Sequence, residues 1–191
     1  MKIEEYALVL DFLPRGRSSS FKPEPLAQVL GEEFFTLLEV IPKEGAALKA
    51  GEKIYIGKEN REKIEFIKRR ISFKELTSNS VAEIEQMIEK IVMEKEKNFV
   101  EFFNLSRSIT IKRHQIELLP GLGKKHMLEI IDQREKKPFE SFDDIKTRIH
   151  LMPDVTNTIV KRIMEELSGD EDKHFLFVRP PAQERPQFRR R

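Results

Sequence analysis

The sequence predicts an α+β protein with a small N-terminal OB-like β-barrel, a long connecting helix and a C-terminal all-helical unit. Three observations predict this. The first part reads as short apolar strands between Gly and Pro turns, the middle has an amphipathic helical repeat, and a Pro-Gly turn lies between helical stretches further on. We expect the barrel at 1–78, the helix at 79–104, the helical unit at 105–169, and a C-terminal strand and basic Pro-rich tail at 170–191.

Four or five short strands are predicted in the first segment. The clearest is Tyr6–Leu13, a continuous apolar run that ends at Pro14. Residues 34–41 form another, and residues 26–30 before them fit a strand or a short helix. Residues 52–57 alternate after a glycine turn, and residues 63–73 alternate imperfectly. Such strands favour a barrel of the kind that binds oligonucleotides, although the pattern alone does not establish that it closes.

One long amphipathic helix is predicted to join the barrel to the helical unit. Its apolar residues recur at steps of three and four and are typical of a buried face; they are Ile84, Met87, Ile88, Ile91, Val92, Phe99, Phe102 and Phe103. Residues 79–104 also carry six glutamates against three lysines. We therefore expect the acidic face of this helix to turn away from any nucleic acid.

The most informative stretch is residues 119–123, Leu-Pro-Gly-Leu-Gly, which we call the LPGLG turn. Gly121 and Gly123 allow a tight turn with positive φ angles. Leu122 between them is predicted to anchor the turn by packing against the apolar residues beneath it. The turn leads directly into a predicted helix, whose first N–H groups lack intrahelical partners and attract an oxyanion such as phosphate. Lys124 and Lys125 add positive charge there, so a plain helix corner explains the sequence less well.

The residues after the turn carry a resemblance to the helix-hairpin-helix motif of DNA repair and recombination proteins. It covers residues 116–149, with Ser141 as the cap of a following helix. The matching positions are Leu119, Pro120, Gly121, Leu122, Gly123, Lys125, Ile130, Ile131, Arg134, Pro138, Phe139, Ser141 and Ile145. Met127 stands where the motif has a small residue and Lys137 where it has glycine. The resemblance implies phosphate binding by Gly121, Leu122, Gly123, Lys124 and Lys125, with a monovalent cation held by the turn's carbonyl groups.

A second, degenerate hairpin is predicted at residues 151–157, which we call the second turn. Asp154 and Thr156 occupy its two glycine positions. A carboxylate repels phosphate, and losing glycine stiffens the turn. We therefore interpret this half as a structural mate of the LPGLG turn.

Composition excludes several classes of protein. The 191 residues contain no cysteine, so disulfides and thiolate metal sites are absent. No apolar run is long enough to span a membrane and the first residues do not resemble a signal peptide, so we expect a cytoplasmic protein. The formal net charge is only +2, so affinity for nucleic acid must come from where the charges lie.

Basic residues are concentrated in two runs. Residues 58–74 contain seven against three glutamates, and residues 107–125 contain five against one. The expectation is contact with the phosphate backbone, largely independent of sequence. The weaker candidates, which include two loop arginines and the C-terminal tail, are Arg15, Arg17, Lys68, Arg69, Arg70, Arg107, Lys112, Arg113, Arg189, Arg190 and Arg191. Phe21, Tyr55 and Phe66 are candidates for stacking on bases, although each also fits a core position.

An enzymatic alternative rests on Asp143 and Asp144, which follow the turn at a distance that resembles the spacing in DNA glycosylases. Their place after Ser141 is explained equally by helix capping. The four histidines show no zinc-type spacing and no carboxylates are singled out for Mg²⁺. We therefore predict no catalytic residue, no metal ligand and no enzyme. An assembly factor docking on a ribosomal or transcription complex stays open as an alternative.

The strand at 6–17, the alternating segment 50–57 and the LPGLG turn together resemble an uncharacterised archaeal family. The resemblance implies a nucleic-acid-binding protein with an oligonucleotide-binding-type barrel and tandem helix-hairpin-helix units. The expected partner is RNA or DNA. The sequence does not choose between them and does not indicate an oligomeric state.

Overall fold

The computed structural model describes residues 3–17, 24–169 and 174–180. A five-stranded antiparallel sheet is built from β1 (Tyr6–Leu13), β2 (Leu26–Gly31), β3 (Leu37–Pro42), β4 (Lys53–Tyr55) and β5 (Ile64–Arg70), in the order β4-β1-β2-β3-β5. Residues 26–30, for which the sequence fitted two structures, form the central strand, where both backbone edges are paired and every side chain is buried.

The sheet curls into a half-barrel and stays open. Its edges are β4 and β5, and no pairing joins them in the described residues. A β-bulge in β1 between Val9 and Asp11, and two irregularities where β3 pairs with β5, increase the curl. Because β4 has only three residues, it offers little edge to close a barrel. The predicted barrel is thus an open half-barrel.

Both faces of the sheet are covered, which explains why β1 is continuously apolar. Leu8 and Leu10 point towards the helices, whereas Ala7 and Val9 point to the other face. Leu48, from the loop after β3, covers that second face. Alternation along the strand therefore divides one apolar run between two cores.

The predicted connecting helix is two helices. α1 (Ser78–Glu94) packs on β1, and α2 (Glu96–Leu105) follows after a break at Lys95. Lys95 leaves helical geometry (φ −108°, ψ 27°), and its ammonium group reaches the carboxylate of Glu33 and the carbonyl of Glu32. The prediction of one helix was wrong because the backbone breaks at this long-range contact. The apolar repeat continues across the break and therefore does not reveal it.

The C-terminal part is not purely helical in the described residues. Two short strands, β6 (Ser108–Thr110) and β7 (Arg113–His114), precede a 3₁₀ helix, Gln115–Leu118. The remaining helices are α3 (Lys124–Lys136), α4 (Phe142–Arg148) and α5 (Val155–Ser168). The predicted all-helical unit missed the β6–β7 hairpin because it is too short to show a strand pattern.

One hydrophobic core runs through the sheet and the helices. It starts at Leu8 and Leu30 in the sheet, passes Ile88 in α1 and reaches Ile130 and Ile163 in α3 and α5. The predicted boundaries near 78 and 105 coincide with the start of α1 and the end of α2. They do not divide this core.

The strand predicted from His174 to Arg179 does not form in the described residues 174–180. The segment is instead held by α5, by Arg70 of β5 and by a hydrogen bond from the Arg179 N–H to the Phe34 carbonyl. The buried carboxylate of Glu166 accepts hydrogen bonds from the backbone N–H groups of Leu176, Phe177 and Val178 at 2.8–3.0 Å. The rest of the predicted tail, residues 181–191, lies outside the described residues.

Candidate nucleic-acid interface

The LPGLG turn is a β-turn closed by a hydrogen bond from the Leu122 N–H to the Leu119 carbonyl, at 3.0 Å. Pro120 occupies the second position and Gly121, with φ +82°, the third. This is the residue pattern of a type II turn, in which the third position requires a positive φ. The glycine predicted at a positive φ is therefore confirmed at Gly121.

Gly123 plays a different role from the one predicted. Its φ of −103° and ψ of −173° are open to any residue, so the expectation of a second positive φ was wrong. Gly123 is the N-cap of α3, and no side chain caps this helix end. A Cβ added there would meet nothing within 4 Å, so the space beside this N-cap is open. The first N–H groups of α3 have no partner within the helix.

Three other helices start with a side-chain cap. Thr77 accepts from the Ser80 N–H before α1, Ser141 from the Asp144 N–H before α4, and Asp154 from the Asn157 N–H before α5. At the N-terminus of α3, as at that of α2, no side chain caps these donors.

The side chains around this helix end supply positive charge. Lys124 and Lys125 are exposed, and neither forms an ion pair or a side-chain hydrogen bond in the described residues. Leu122 is buried in the main core, as expected of the residue that packs the turn down. The structure thus brings together a fixed turn, unused backbone donors and two uncompensated cations.

The turn is held from behind by neighbouring elements. Arg162 of α5 donates to the Leu118 carbonyl at 3.3 Å, and Pro153 of the second turn lies 3.6 Å from the position a Cβ on Gly121 would take. Glu129 of α3 accepts from the His150 N–H at 2.9 Å. The two turns therefore lie side by side on a rigid base.

The second turn has no comparable donors. Asp154 is the N-cap of α5, and its carboxylate accepts from the Asn157 N–H at 2.7 Å. That carboxylate occupies the place where an anion would bind. Leu151 precedes it with a positive φ of +52° and a side chain that is 80% exposed. This geometry agrees with a structural mate of the LPGLG turn.

Asp143 and Asp144 lie in the first turn of α4, as capping predicts. The Asp144 carboxylate accepts from Arg148 at 3.0 Å and from the Glu140 N–H at 3.1 Å. No group of three or more His, Asp or Glu side chains in the described residues could hold a metal ion. No described helix is long and apolar enough to cross a membrane.

The cations predicted on the barrel are engaged within the protein. Arg17 and Arg69 both pair with Glu39, whose side chain is 2% exposed, at 2.7 and 2.8 Å. Lys68 pairs with Glu24 at 2.7 Å. Arg70 is half-buried and donates to two backbone carbonyls, and this burial lowers the pKa of its guanidinium. A role for these four residues in binding stays a prediction, but each has a structural partner.

Glu39 is a residue that the sequence reading missed. It is a lone acid inside the apolar strand β3, and that isolation was the available signal. Glu75 extends the network by pairing with Arg69 at 2.5 Å. The backbone N–H of Ser72 and then Arg69 lower the pKa of Glu75 to about 2. These acids explain why Arg69 carries little free charge, whereas Lys58 and Lys74 of the same basic run are exposed.

The remaining candidates lie on the β6–β7 hairpin, on the half-barrel or outside the described residues. Arg107, Lys112 and Arg113 are exposed on the β6–β7 hairpin, and Arg15 is exposed in the loop after β1. Phe66 is 45% exposed on β5, whereas Tyr55 is half-buried. Phe21 and the three tail arginines Arg189, Arg190 and Arg191 are not described.

Three comparisons with known proteins agree with each other. A family model described as "Protein of unknown function (DUF655)" matches residues 3–179. The uncharacterised protein MJ0038 of Methanocaldococcus jannaschii is 45% identical over 180 residues, covering 93% of this chain and 81% of its own. The crystal structure of Af1531 from Archaeoglobus fulgidus, assigned to the same family, has a TM-score of 0.83 and 44% identity over 92% of this chain and all of that one.

Proposed function

The chain belongs to the DUF655 family, whose function is unknown, and we propose that it binds RNA or DNA and catalyses no reaction on them. The LPGLG turn and the start of α3 form a helix-hairpin-helix phosphate clamp in this proposal. The 3₁₀ helix Gln115–Leu118 takes the place of the motif's first helix. The second turn, between α4 and α5, is its degenerate partner.

The observation that carries the proposal is the uncapped N-terminus of α3. Backbone N–H groups aimed at open space, together with the positive end of the helix dipole, bind a phosphate without reading its base. Gly123 lets the nucleic-acid backbone come close, since no side chain stands in the way. Lys124 and Lys125 add the counterion-releasing charge on which such binding depends.

The half-barrel has a smaller part in this proposal than the sequence suggested. Arg17, Arg69, Arg70 and Lys68 are held by Glu24, Glu39 and backbone carbonyls. Releasing a cation from an internal partner reduces the gain from contacting phosphate. The grip is therefore centred on the LPGLG turn, with the acidic surface of α1 facing away.

The test is binding of the whole protein to matched single- and double-stranded DNA and RNA across a salt series. The variant Lys124→Ala/Lys125→Ala should weaken binding to all sequences alike. It should also lower the slope of log K against log salt by up to about 2, at about 0.9 per duplex phosphate contact. The matched control is Lys90→Ala/Lys97→Ala, which removes two exposed cations without ion pairs in the described residues from α1 and α2.

Equal slopes of log K against log salt for the two double variants would rule out the clamp. Binding of no nucleic acid at any salt concentration would rule out the proposed function and favour docking on a protein assembly. If the wild-type protein cleaved nucleic acid or released a base, and Asp143→Asn/Asp144→Asn did not, the protein would be an enzyme and the binding-only proposal would be wrong.

A further inference from the structure

The β6–β7 hairpin presents an apolar side chain to solvent at its tip. Thr110 pairs with Arg113, so Ile111 and Lys112 form the turn between the strands. The exposed fraction of Ile111 is 105%, the highest among the large apolar side chains of the described residues. The side chain therefore contributes nothing to the core.

Local structure gives no reason for isoleucine at this position. Two-residue hairpin turns favour Gly, Asn and Asp, which tolerate positive φ angles. Ile111 and Lys112 are not among the described residues with positive φ. The apolar surface of Ile111 is therefore free for a contact outside the chain.

Charge around the tip selects the partner. Residues 106–116 contain Arg107, Lys112 and Arg113 and no acidic residue. Arg107 and Lys112 are exposed, and their side chains have no ion pair in the described residues. An apolar tip with Lys112 beside it and Arg107 at the base of the hairpin is complementary to a base with phosphates near it.

The hairpin is fixed to the same body as the LPGLG turn. The Arg107 N–H donates to the Gln115 side chain at 2.8 Å, the Gln115 N–H donates to the Arg107 carbonyl at 3.0 Å, and the His114 N–H donates to Glu117 at 2.8 Å. Only the four-residue 3₁₀ helix separates its base from Leu119, a span of about 8 Å at about 2 Å per residue. Both elements can therefore contact one stretch of nucleic acid.

We infer that the β6–β7 hairpin is a second nucleic-acid contact, in which Ile111 packs against an unstacked base while Arg107 and Lys112 contact the flanking phosphates. This rests on the proposed function and adds to it. The LPGLG turn holds the backbone through one phosphate, whereas the hairpin tip recognises strands whose bases separate easily.

The test uses the whole protein with 2-aminopurine oligonucleotides, whose fluorescence rises when the reporter base unstacks. Wild type should raise the fluorescence, and Ile111→Ala should abolish most of that rise and weaken binding by about fivefold or more. Its salt slope should stay unchanged, because an apolar contact releases no counterions. Arg107→Ala/Lys112→Ala should lower that slope by about 1.8, at about 0.9 per contact.

Val81→Ala is the matched control, since it shortens an exposed β-branched residue on α1. Both single variants should melt at the wild-type temperature. The inference would be overturned if Ile111→Ala matched Val81→Ala in both fluorescence rise and affinity. If Lys124→Ala/Lys125→Ala still bound nucleic acid more weakly than wild type, the proposed clamp would stand. A wild-type protein that binds tightly without any fluorescence rise would likewise exclude base contact at the tip, and absence of all binding would remove both proposals.

Discussion

Gly123 has no internal reason to be glycine, since its backbone angles suit any residue and its Cβ would meet nothing. Gly121 differs, because its positive φ makes a side chain strained. The two glycines of one motif therefore serve separate purposes. Gly121 shapes the turn, and in the proposed clamp Gly123 keeps the approach to α3 open.

Replacing Gly123 by Ser should separate stability from binding. Serine is a good N-cap, so the free energy of unfolding should stay within a few tenths of a kcal/mol or rise. The hydroxyl would occupy the N–H groups offered to phosphate, so affinity for nucleic acid should fall. Urea unfolding and binding curves measured on the same preparation check this.

Gly121→Ala is the comparison, and it should lower the free energy of unfolding by about 1 kcal/mol or more. A Gly123→Ser variant that binds like wild type would contradict the role given to the open helix end.

His114 makes the base of the β6–β7 hairpin sensitive to acid. Its Nδ1 accepts from the Ile116 N–H at 3.2 Å, and burial, followed by the charge of Arg134, lowers the pKa of the imidazole. The folded state therefore binds its proton at lower pH than the unfolded state does. The resulting stability is complete above about pH 6.5 and is lost as the pH falls from there towards the folded pKa.

Melting temperatures from about pH 5 to 7.5 should fall less on acidification in His114→Asn than in wild type. Asparagine can still accept from the Ile116 N–H but does not titrate. Parallel pH profiles for the two proteins would show that His114 titrates alike in both states.

At the scale of elements, one buried ion pair anchors the segment 174–180, beside the hydrogen bonds from Arg70 to the carbonyls of Arg179 and Pro180. Arg162 and Glu166 of α5 lie 2.8 Å apart with side chains 4% and 2% exposed, and Glu166 also holds three backbone N–H groups of the segment. Arg162 also donates to the His174 carbonyl at 2.5 Å. The pair thus replaces the strand pairing that the sequence pattern predicted.

Glu166→Gln should cost about 3–5 kcal/mol of unfolding free energy, because it removes the charge that compensates a buried arginine. Hydrogen exchange at residues 176–178 should accelerate as the segment loosens. Glu165→Gln is the control, since that carboxylate is half exposed and 3.7 Å from Arg162. Similar urea midpoints for both variants would contradict the anchoring role.

Local chemistry made several of these elements predictable from sequence. The apolar run of β1, the Ser141 cap and the glycine at a positive φ each depend on neighbours in the chain. The break at Lys95 coincides with its contact to Glu33, some sixty residues earlier, and no pattern within the helix predicts that break. The loss of free charge on Arg69 likewise depends on Glu39 in another strand.

On the scale of the whole molecule, the shared core should make unfolding a single event. Tyr6 and Tyr55 are the protein's two tyrosines and both lie in the sheet, whereas helicity reports chiefly on α1 to α5. Tyrosine fluorescence and circular dichroism at about 222 nm should therefore give coincident denaturation curves. Separate midpoints would mean that the half-barrel and the helices unfold independently.

Under the proposed function, the continuous core also links ligand binding to the stability of the whole chain. If the chain opens only as a unit, an anion at the start of α3 stabilises amides it never touches. Ligand at about 100 times its dissociation constant adds about 2.7 kcal/mol to every global opening reaction. Exchange of the β2 amides should then slow roughly a hundredfold when nucleic acid is added, provided that they exchange through global unfolding. A local response confined to α3 would show that binding and sheet stability are not linked.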